Sequence, residues 1–224
     1  MGRIDSFDPR NRFLKHLPRQ AQLLDVGCGS FRTLNKLRAH RPDIRFFGVD
    51  IEDVSAQCPD SVTFKQVDLD HQELPFRDEF FDAIFFCHVL EHLIYPMKAL
   101  AEIKRVLKPG GQIYIEGPSV RSQLLPSFSF LKSSGALKAV GDDLNFYDNF
   151  THIRPLSKRS LHMFLELASC EPDGIGYVRN PFKVLVAPFL VLGGLLLLRR
   201  RWLCVGLWEL AGWSVYAMGR KKTA

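Results

Sequence analysis

A glycine-rich turn near the N-terminus contains the residues best suited to bind a ligand. Asp25, Gly27, Cys28 and Gly29 lie directly behind an apolar, β-rich run. Glycines after a strand let the backbone turn tightly and approach a ligand without a Cβ in the way. Asp50 follows 21 residues after Gly29, at the end of the next predicted strand, where a carboxylate can accept both hydroxyls of a ribose. The spacing therefore predicts a cofactor that contains a ribose.

Two features of this turn distinguish between the cofactors that a ribose allows. A dinucleotide fingerprint has a third glycine three residues after the second, and Arg32 stands there instead. Asp25 can face an ammonium or a sulfonium cation, whereas it would repel a pyrophosphate. Both features favour S-adenosylmethionine over a nicotinamide cofactor, although a purely structural turn would share the glycines.

The elements around the turn predict an α/β fold. Short apolar runs alternate with segments of helical period, which indicates βαβ units and a parallel sheet. The predicted strands cover residues 22–26, 45–49, 63–67, 81–87 and 112–116, with a final strand at 213–219. One predicted helix precedes the turn cluster Lys108–Gly111, and another begins after Ser157, a suitable N-cap.

Further motifs extend the pattern along the chain. They are Asp68-Leu69, Leu74-Pro75-Phe76, Phe80-Phe81-Asp82, Val89-Leu90-Glu91-His92-Leu93 and the run from Glu102 to Gly111. With the glycine-rich turn they closely resemble the type 11 family of class I S-adenosylmethionine-dependent methyltransferases over residues 20–117, and more loosely to residue 168. The resemblance implies a Rossmann-like, seven-stranded, mostly parallel sheet with helices on both faces. The length of 224 residues predicts a single domain, and the long stretch 118–155, which has no sustained period, predicts a lid or acceptor segment.

The resemblance assigns a cofactor role to a set of side chains and backbone groups. Asp25, Gly27 and Gly29 would surround the methionine part of S-adenosylmethionine, and Asp50 would hold the ribose. Asp68 would accept from the adenine amino group while the Leu69 N–H meets a ring nitrogen. The remaining members of the predicted cofactor site are Cys28, Ile51, Cys87 and His88, the last two beside the sulfonium. Phe31 stands where many relatives have glycine, which predicts altered packing at the helix start.

Candidate catalytic residues are His88 and His152. Methyl transfer from a sulfonium needs a base only if the acceptor keeps its proton at neutral pH. His88 follows the fourth strand and is the predicted base, with an equally weighted interpretation as a loop-anchoring imidazole. His152 lies where the family's post-sheet segment often covers the site, and there a loop-anchoring role is also open.

A metal is not expected, although one segment invites the question. His88, Glu91 and His92 place metal-capable side chains on one turn. The segment is similar to the Glu-x-x-Glu-His segment with which quinone-precursor O-methyltransferases bind a divalent cation. Because His88 replaces the first Glu, an oxygen-seeking ion is a poor match.

An apolar segment, residues 182–212, lies in the C-terminal part of the chain that carries the net charge. Residues 181–224 contain seven basic residues and one acidic residue, Glu209. The charges of the rest of the chain cancel, so the formal charge of +6 comes entirely from this range. Residues 184–198 contain no charge and would form a helix of about 22 Å, short of the ~30 Å core of a bilayer. Two interpretations remain open: an insertion packed on the protein, or a monotopic element with arginines at anionic head groups.

These observations predict an enzyme that methylates a small-molecule, lipid-linked or glycan-linked acceptor with S-adenosyl-L-methionine. The alternative is a catalytically inactive, membrane-associated binding or scaffold protein with the same fold. Nucleic acid is not an expected partner, because the catalytic half has no excess of basic residues. Five scattered cysteines and a polar N-terminus without an apolar signal predict a cytoplasmic location, peripheral on an inner membrane face under the monotopic interpretation.

Overall fold

The computed structural model describes residues 7–127 and 144–223. Residues 128–143 of the predicted lid lie outside the described residues. The strands are β1 Gln22–Val26, β2 Arg45–Asp50, β3 Val62–Gln66, β4 Phe81–Cys87, β5 Leu107–Pro118, β6 Cys170–Tyr177 and β7 Ser214–Lys221. The helices are α1 Pro9–Lys15, α2 Arg32–His40, α3 Pro96–Val106, α4 Lys158–Leu167, α5 Pro181–Leu196 and α6 Arg200–Ala211.

All seven strands form one sheet in the order β3-β2-β1-β4-β5-β7-β6. β7 runs antiparallel to both of its neighbours, and the other pairs are parallel. The chain order reverses between β1 and β4, and the carboxyl ends of parallel strands at such a switch point form a natural ligand crevice. The predicted Rossmann-like, mostly parallel sheet is confirmed.

Helices cover both faces of the sheet, because alternate residues of the central strands point to opposite sides. Leu23 of β1 lies in one core with side chains of α1 and α2. Leu24 lies in the other core with side chains of α3 and α4. Ser157 caps α4 as expected, since its side chain accepts from the Ser160 N–H. The two cores hold the strand ends, and the site that they carry, in place.

β6 was not among the strands located from the sequence. Its first half is polar, with Glu171, Pro172 and Asp173 exposed, and the pairing with β7 shifts register between Pro172 and Gly174. A proline and a bulge are tolerated there because β6 is an edge strand. Neither feature produces the apolar alternation from which strands are predicted.

The apolar C-terminal segment forms a helical hairpin between β6 and β7. A Cβ on Gly194 would lie 2.6 Å from the Leu203 nitrogen, and one on Gly206 would lie 2.8 Å from the Ala187 oxygen. Glycine therefore lets α5 and α6 pack backbone to backbone. Among the described residues, no helix is long and apolar enough to cross a membrane.

Candidate functional site

A cavity of about 490 Å³ opens at the carboxyl ends of β1, β2, β3 and β4. Its size is typical of small-molecule sites. Predicted site residues that line it are Gly27, Asp50, Ile51, Asp68, Leu69 and His88. Asp25, Cys28, Gly29 and Cys87 are not among its described walls. The sheet thus brings most of the predicted set, from four separate strand ends, around one cavity.

Gly27 and Gly29 shape the turn beneath the cavity. Gly27 has φ +74°, and a Cβ there would lie 2.2 Å from a methyl group of Val89, so a side chain is excluded on two grounds. Gly29 has φ +46° and nothing within 4 Å of the position its Cβ would take. Its N–H donates to Asp50 Oδ2 at 2.7 Å. The turn therefore leaves open space next to Gly29, and the hydrogen bond to Asp50 fixes the Gly29 backbone to the end of β2.

Asp25 lies at the base of this turn as a buried carboxylate. It is 3% exposed, and its Oδ2 has no hydrogen-bond partner among the described residues. Burial, and secondarily the charge of Asp50, raise the pKa of Asp25 to about 7. An unpaired buried carboxylate is stabilised by a nearby cation. Asp25 and the open space at Gly29 therefore fit a cofactor that carries a positive charge.

The acidic side chains at the ends of β2 and β3 form the opposite wall. Asp50 Oδ1 also accepts from the Glu52 N–H at 3.1 Å, which fixes the orientation of its carboxylate. Asp68 Oδ2 lies 2.7 Å from His71 Nδ1, and this hydrogen bond lowers the pKa of Asp68. Leu69 is buried and supplies apolar lining beside it, whereas Ile51 is exposed. Two carboxyl groups with spare lone pairs thus flank the cavity.

Cys28, Phe31 and Cys87 belong to the core rather than to the cavity wall. A Cβ on Gly48 would lie 2.8 Å from Cys28 Sγ and 3.3 Å from the Phe31 ring, so both pack tightly under the turn. Phe31 itself has φ +56° and is fully buried. Burial raises the pKa of Cys87 well above its ordinary value. The cofactor roles predicted for Cys28 and Cys87 stay predictions, without a contact that supports them.

His88 is held between two buried carboxylates that sequence reasoning did not connect with it. Its Nδ1 lies 3.2 Å from Glu91 Oε1, and its Nε2 lies 3.3 Å from Glu116 Oε1. The ring is 37% exposed; burial alone would lower its pKa, but the two carboxylates raise it to about 9. A protonated imidazole cannot accept a proton. The arrangement therefore argues against His88 as a general base at neutral pH.

Arg10 completes this cluster from the N-terminal helix. Its Nε donates to Glu116 Oε2 at 2.9 Å, and its Nη2 also bonds to the same carboxylate. The Tyr114 hydroxyl donates to Glu116 Oε2 at 2.6 Å. Burial would raise the pKa of Glu116, but Arg10 and His88 lower it to about 2. No local motif links residues 10, 88 and 116, so the sequence offered no signal for this cluster.

His152 and His92 lie beside each other above the cavity. Their ring centroids are 4.9 Å apart, and His152 Nδ1 lies 2.8 Å from the Phe146 oxygen. His92 lines the cavity, and its Nδ1 lies 2.9 Å from Thr151 Oγ1. Burial, and secondarily the neighbouring His152, lower the pKa of His92 despite the opposing charge of Glu91. His92 is thus the neutral imidazole that reaches the cavity.

The three metal-capable side chains that come together differ from those expected. Glu91, His92 and His152 each offer a ligand atom within 4.8 Å of the others. His88 is engaged by its two carboxylates instead. The prediction that no metal binds stays a prediction.

Residues 24–115 match the family model of the methyltransferase domain. Over these residues the chain is similar to class I S-adenosylmethionine-dependent methyltransferases. The match ends at Ile115, so the helical hairpin lies outside it.

Among curated relatives, the tRNA (carboxymethyluridine(34)-5-O)-methyltransferase of Arabidopsis thaliana is 35% identical over 106 residues. That match covers 46% of this chain and 25% of the relative. Across eight such relatives, the matched part spans between 24% and 54% of their lengths.

Solved structures share the fold over nearly the whole chain. A chain of the complex between the Haloferax volcanii Trm112 methyltransferase activator and its methyltransferase superposes with a TM-score of 0.65. It is 17% identical, and the alignment covers 98% of this chain and 91% of that one. The Burkholderia thailandensis 1,6-didemethyltoxoflavin-N1-methyltransferase, solved with S-adenosylhomocysteine, gives a TM-score of 0.59 at 16% identity, covering 98% and 80%. Together with the strand order, these likenesses confirm the fold of the methyltransferase domain.

Proposed function

We propose that this protein binds S-adenosyl-L-methionine in the cavity at the carboxyl ends of β1, β2, β3 and β4 and transfers its methyl group to a small-molecule, lipid-linked or glycan-linked acceptor. The unpaired Asp25 carboxylate beside the open turn at Gly29 carries the proposal, because it calls for a cationic ligand. When bound, the cofactor supplies a methyl group on a sulfonium, which is a good leaving group.

The side chains of the cavity then have to bind, orient and exclude water. Asp50 and Asp68 present ionisable carboxylates to hydroxyl and amino groups of a nucleoside, and Leu69 packs beside it. Asp25 balances the positive charge from below. Positioning accounts for much of such a reaction, since a nucleophile held in line needs little further assistance.

If the acceptor keeps its proton at neutral pH, His92 is the base that the geometry favours over His88. The pKa of His92 is lowered, so its ring is neutral, and it lines the cavity. His88 has both ring nitrogens engaged by Glu91 and Glu116, so it would place positive charge beside the cavity without donating a hydrogen bond to the acceptor. His152 would then orient His92 rather than take part in the proton transfer.

Calorimetric titration with S-adenosylmethionine tests the cofactor site. Asp50→Ala should weaken binding by tenfold or more, roughly the contribution of a charged hydrogen bond. Asp53→Ala is the matched control, because Asp53 is an exposed neighbour whose carboxylate caps only Ser55. No binding by the unaltered chain, or equal effects of both substitutions, would favour the inactive scaffold.

The class of acceptor can be decided by incubating the protein with labelled cofactor and fractionated cell extract. Label in the lipid, glycan or small-molecule fraction supports the proposed class. A nucleic-acid acceptor is the second candidate, because the Arabidopsis relative is a tRNA methyltransferase. Label in the RNA fraction alone would establish that candidate and overturn the first.

A further inference from the structure

A stripe of large apolar side chains runs along the outer face of α5. Ala187 and Gly194 are buried against α6. The opposite side of the helix consists of Phe182, Leu185, Phe189, Leu192 and Leu196, which are between 55% and 74% exposed. These positions alternate in steps of three and four, so they share one helix face. A helix that is apolar on both sides is ordinarily covered on both sides.

The apolar surface continues over the closed end of the hairpin. Leu195, Leu197 and Leu198 are between 57% and 89% exposed, and Trp202 is 46% exposed. Soluble monomers rarely present a continuous apolar patch of this kind, and such patches mark interaction surfaces. The α5 stripe and this closed end together are called the hairpin surface below.

Positive charge borders the hairpin surface. Arg199 and Arg201 are exposed at the closed end, and Lys183 lies near the open end. The single acidic residue of the hairpin, Glu209, is only 15% exposed and lies 3.8 Å from Lys183. A negatively charged partner therefore suits this surface. A second copy of the chain would bring the same cations together, which costs free energy.

We propose that the hairpin surface docks this protein on an anionic lipid membrane, with α5 lying in the headgroup region. Aliphatic and aromatic side chains would enter the acyl boundary while the arginines meet lipid phosphates. The 16 residues of α5 reach about 24 Å at ~1.5 Å per residue, so the helix lies along the interface rather than across it. This docking is independent of the proposed methyl transfer.

The topology sets the orientation of the docked molecule. β6 ends at Tyr177 and β7 begins at Ser214. The hairpin therefore leaves the sheet at the carboxyl ends of the parallel strands, the same end at which the cavity opens. Trp213, which follows the hairpin, links it to the cavity, because the Trp213 ring centroid lies 5.9 Å from that of His88 in the cavity wall. Docking would hold the cavity close to the membrane surface. A lipid-linked acceptor follows only if the proposed function also holds.

Vesicle co-sedimentation of the full chain tests the docking. The protein should sediment with vesicles of phosphatidylcholine mixed with phosphatidylglycerol, and less with phosphatidylcholine alone. The double substitution Leu185→Asp with Phe189→Asp should abolish binding to both. Replacing Arg199 and Arg201 by Gln should weaken binding to the anionic vesicles at low salt by about 25-fold, roughly fivefold for each arginine.

A matched control removes two positive charges at the opposite end of β7 from the hairpin. Arg220 and Lys222 are exposed at the end of β7, opposite the hairpin, and their replacement by Gln should leave vesicle binding unchanged. An equal loss in this control would overturn the proposal in favour of general electrostatic attraction. A soluble dimer that Leu185→Asp with Phe189→Asp makes monomeric, with no vesicle binding, would overturn it in favour of a second copy.

Binding of S-adenosylhomocysteine separates this proposal from the proposed function. Each hairpin variant should bind that ligand like the unaltered chain, which shows that the variant is folded. Asp50→Ala should bind vesicles normally. Vesicle binding without cofactor binding would leave docking intact and reject the methyltransferase proposal, and the reverse result would reject docking alone.

Discussion

At the scale of single residues, Asp25 links the fold to the proposed cofactor. Its carboxylate is buried without a partner for Oδ2 in the described structure, and its pKa is raised to about 7. The folded chain therefore binds a proton at Asp25 between the unfolded pKa near 4 and pH 7, which lowers stability as pH rises through that window. A cationic ligand favours the ionised form. Burying the Asp25 carboxylate therefore destabilises the protein without ligand, and a bound cation offsets that cost.

Cofactor affinity should therefore depend on pH through Asp25. Below pH 7 the carboxyl must lose a proton when a cation binds, so affinity should fall by up to about tenfold for each pH unit below 7. Calorimetry between pH 5.5 and 8, in buffers of different ionisation enthalpy, would measure both the affinity and the proton released, on the order of one below pH 7. Asp25→Asn should bind weakly at every pH without that proton release. A pH-independent affinity in the unaltered chain would contradict the role of Asp25.

At the scale of elements, α1 contributes to the site from the beginning of the described chain. Asp8 caps the helix by accepting from the Arg10 N–H, which directs the Arg10 side chain towards β5. There it meets Glu116, a carboxylate with no exposed surface, whose other neighbours are Tyr114 and His88. α1 thus supplies the charge that allows an ionised carboxylate behind the cavity.

Removing that charge should destabilise the fold. Arg10→Met leaves Glu116 buried without its main partner, which should cost about 2–3 kcal/mol, below the ~3–5 kcal/mol of a fully buried pair because Arg10 is partly exposed. Denaturant unfolding at neutral pH measures this loss. Arg12→Met is the control on the same helix, since the side chain of Arg12 makes no ion pair among the described residues and its hydrogen bond to the Tyr216 hydroxyl is long, at 3.4 Å. Adding Glu116→Gln to Arg10→Met should restore most of the stability; no recovery would contradict the explanation.

At the scale of the whole molecule, the chain divides its two proposed activities between different parts. The methyltransferase domain match ends at residue 115, and the curated relatives match less than two thirds of the chain. The hairpin, which carries part of the excess positive charge, lies beyond that match. The proposed cofactor cavity thus lies mostly in the matched part, and the proposed docking surface lies in the hairpin outside it.

Hydrogen exchange should resolve these two parts in one molecule. S-adenosylhomocysteine should slow amide exchange at residues 49–52, 67–70 and 88–93, because these segments line the cavity. Anionic vesicles should slow exchange at residues 182–198 and leave the cavity segments unchanged. Mass spectrometry of peptic fragments would measure both. Protection of the hairpin by the nucleoside ligand alone would mean that the hairpin covers the cavity instead of a membrane.

Local patterns in the chain were sufficient for the glycine-rich turn, the parallel strands and the domain family. Tight turns, strand periodicity and helix caps depend on residues that are close in sequence. They can therefore be recognised without knowing the tertiary structure. β1 and β4 have the bounds that these patterns predict. The edge strand β6 lacks the apolar alternation. Its first half is polar and bulged, which an edge strand tolerates because those residues do not pack into a core.

The protonation of His88 was decided by the tertiary structure. Its partner Glu116 is 28 residues away, and the guanidinium of Arg10 that stabilises Glu116 is 106 residues from it in the chain. Strand order and the packing of α1 bring these charges together, and no local rule relates them. The same is true of α5: its apolar run is visible in the sequence, but only packing against α6 shows which face remains uncovered. Charge coupling and exposure are properties of the space around a residue, and that space is made by distant parts of the chain.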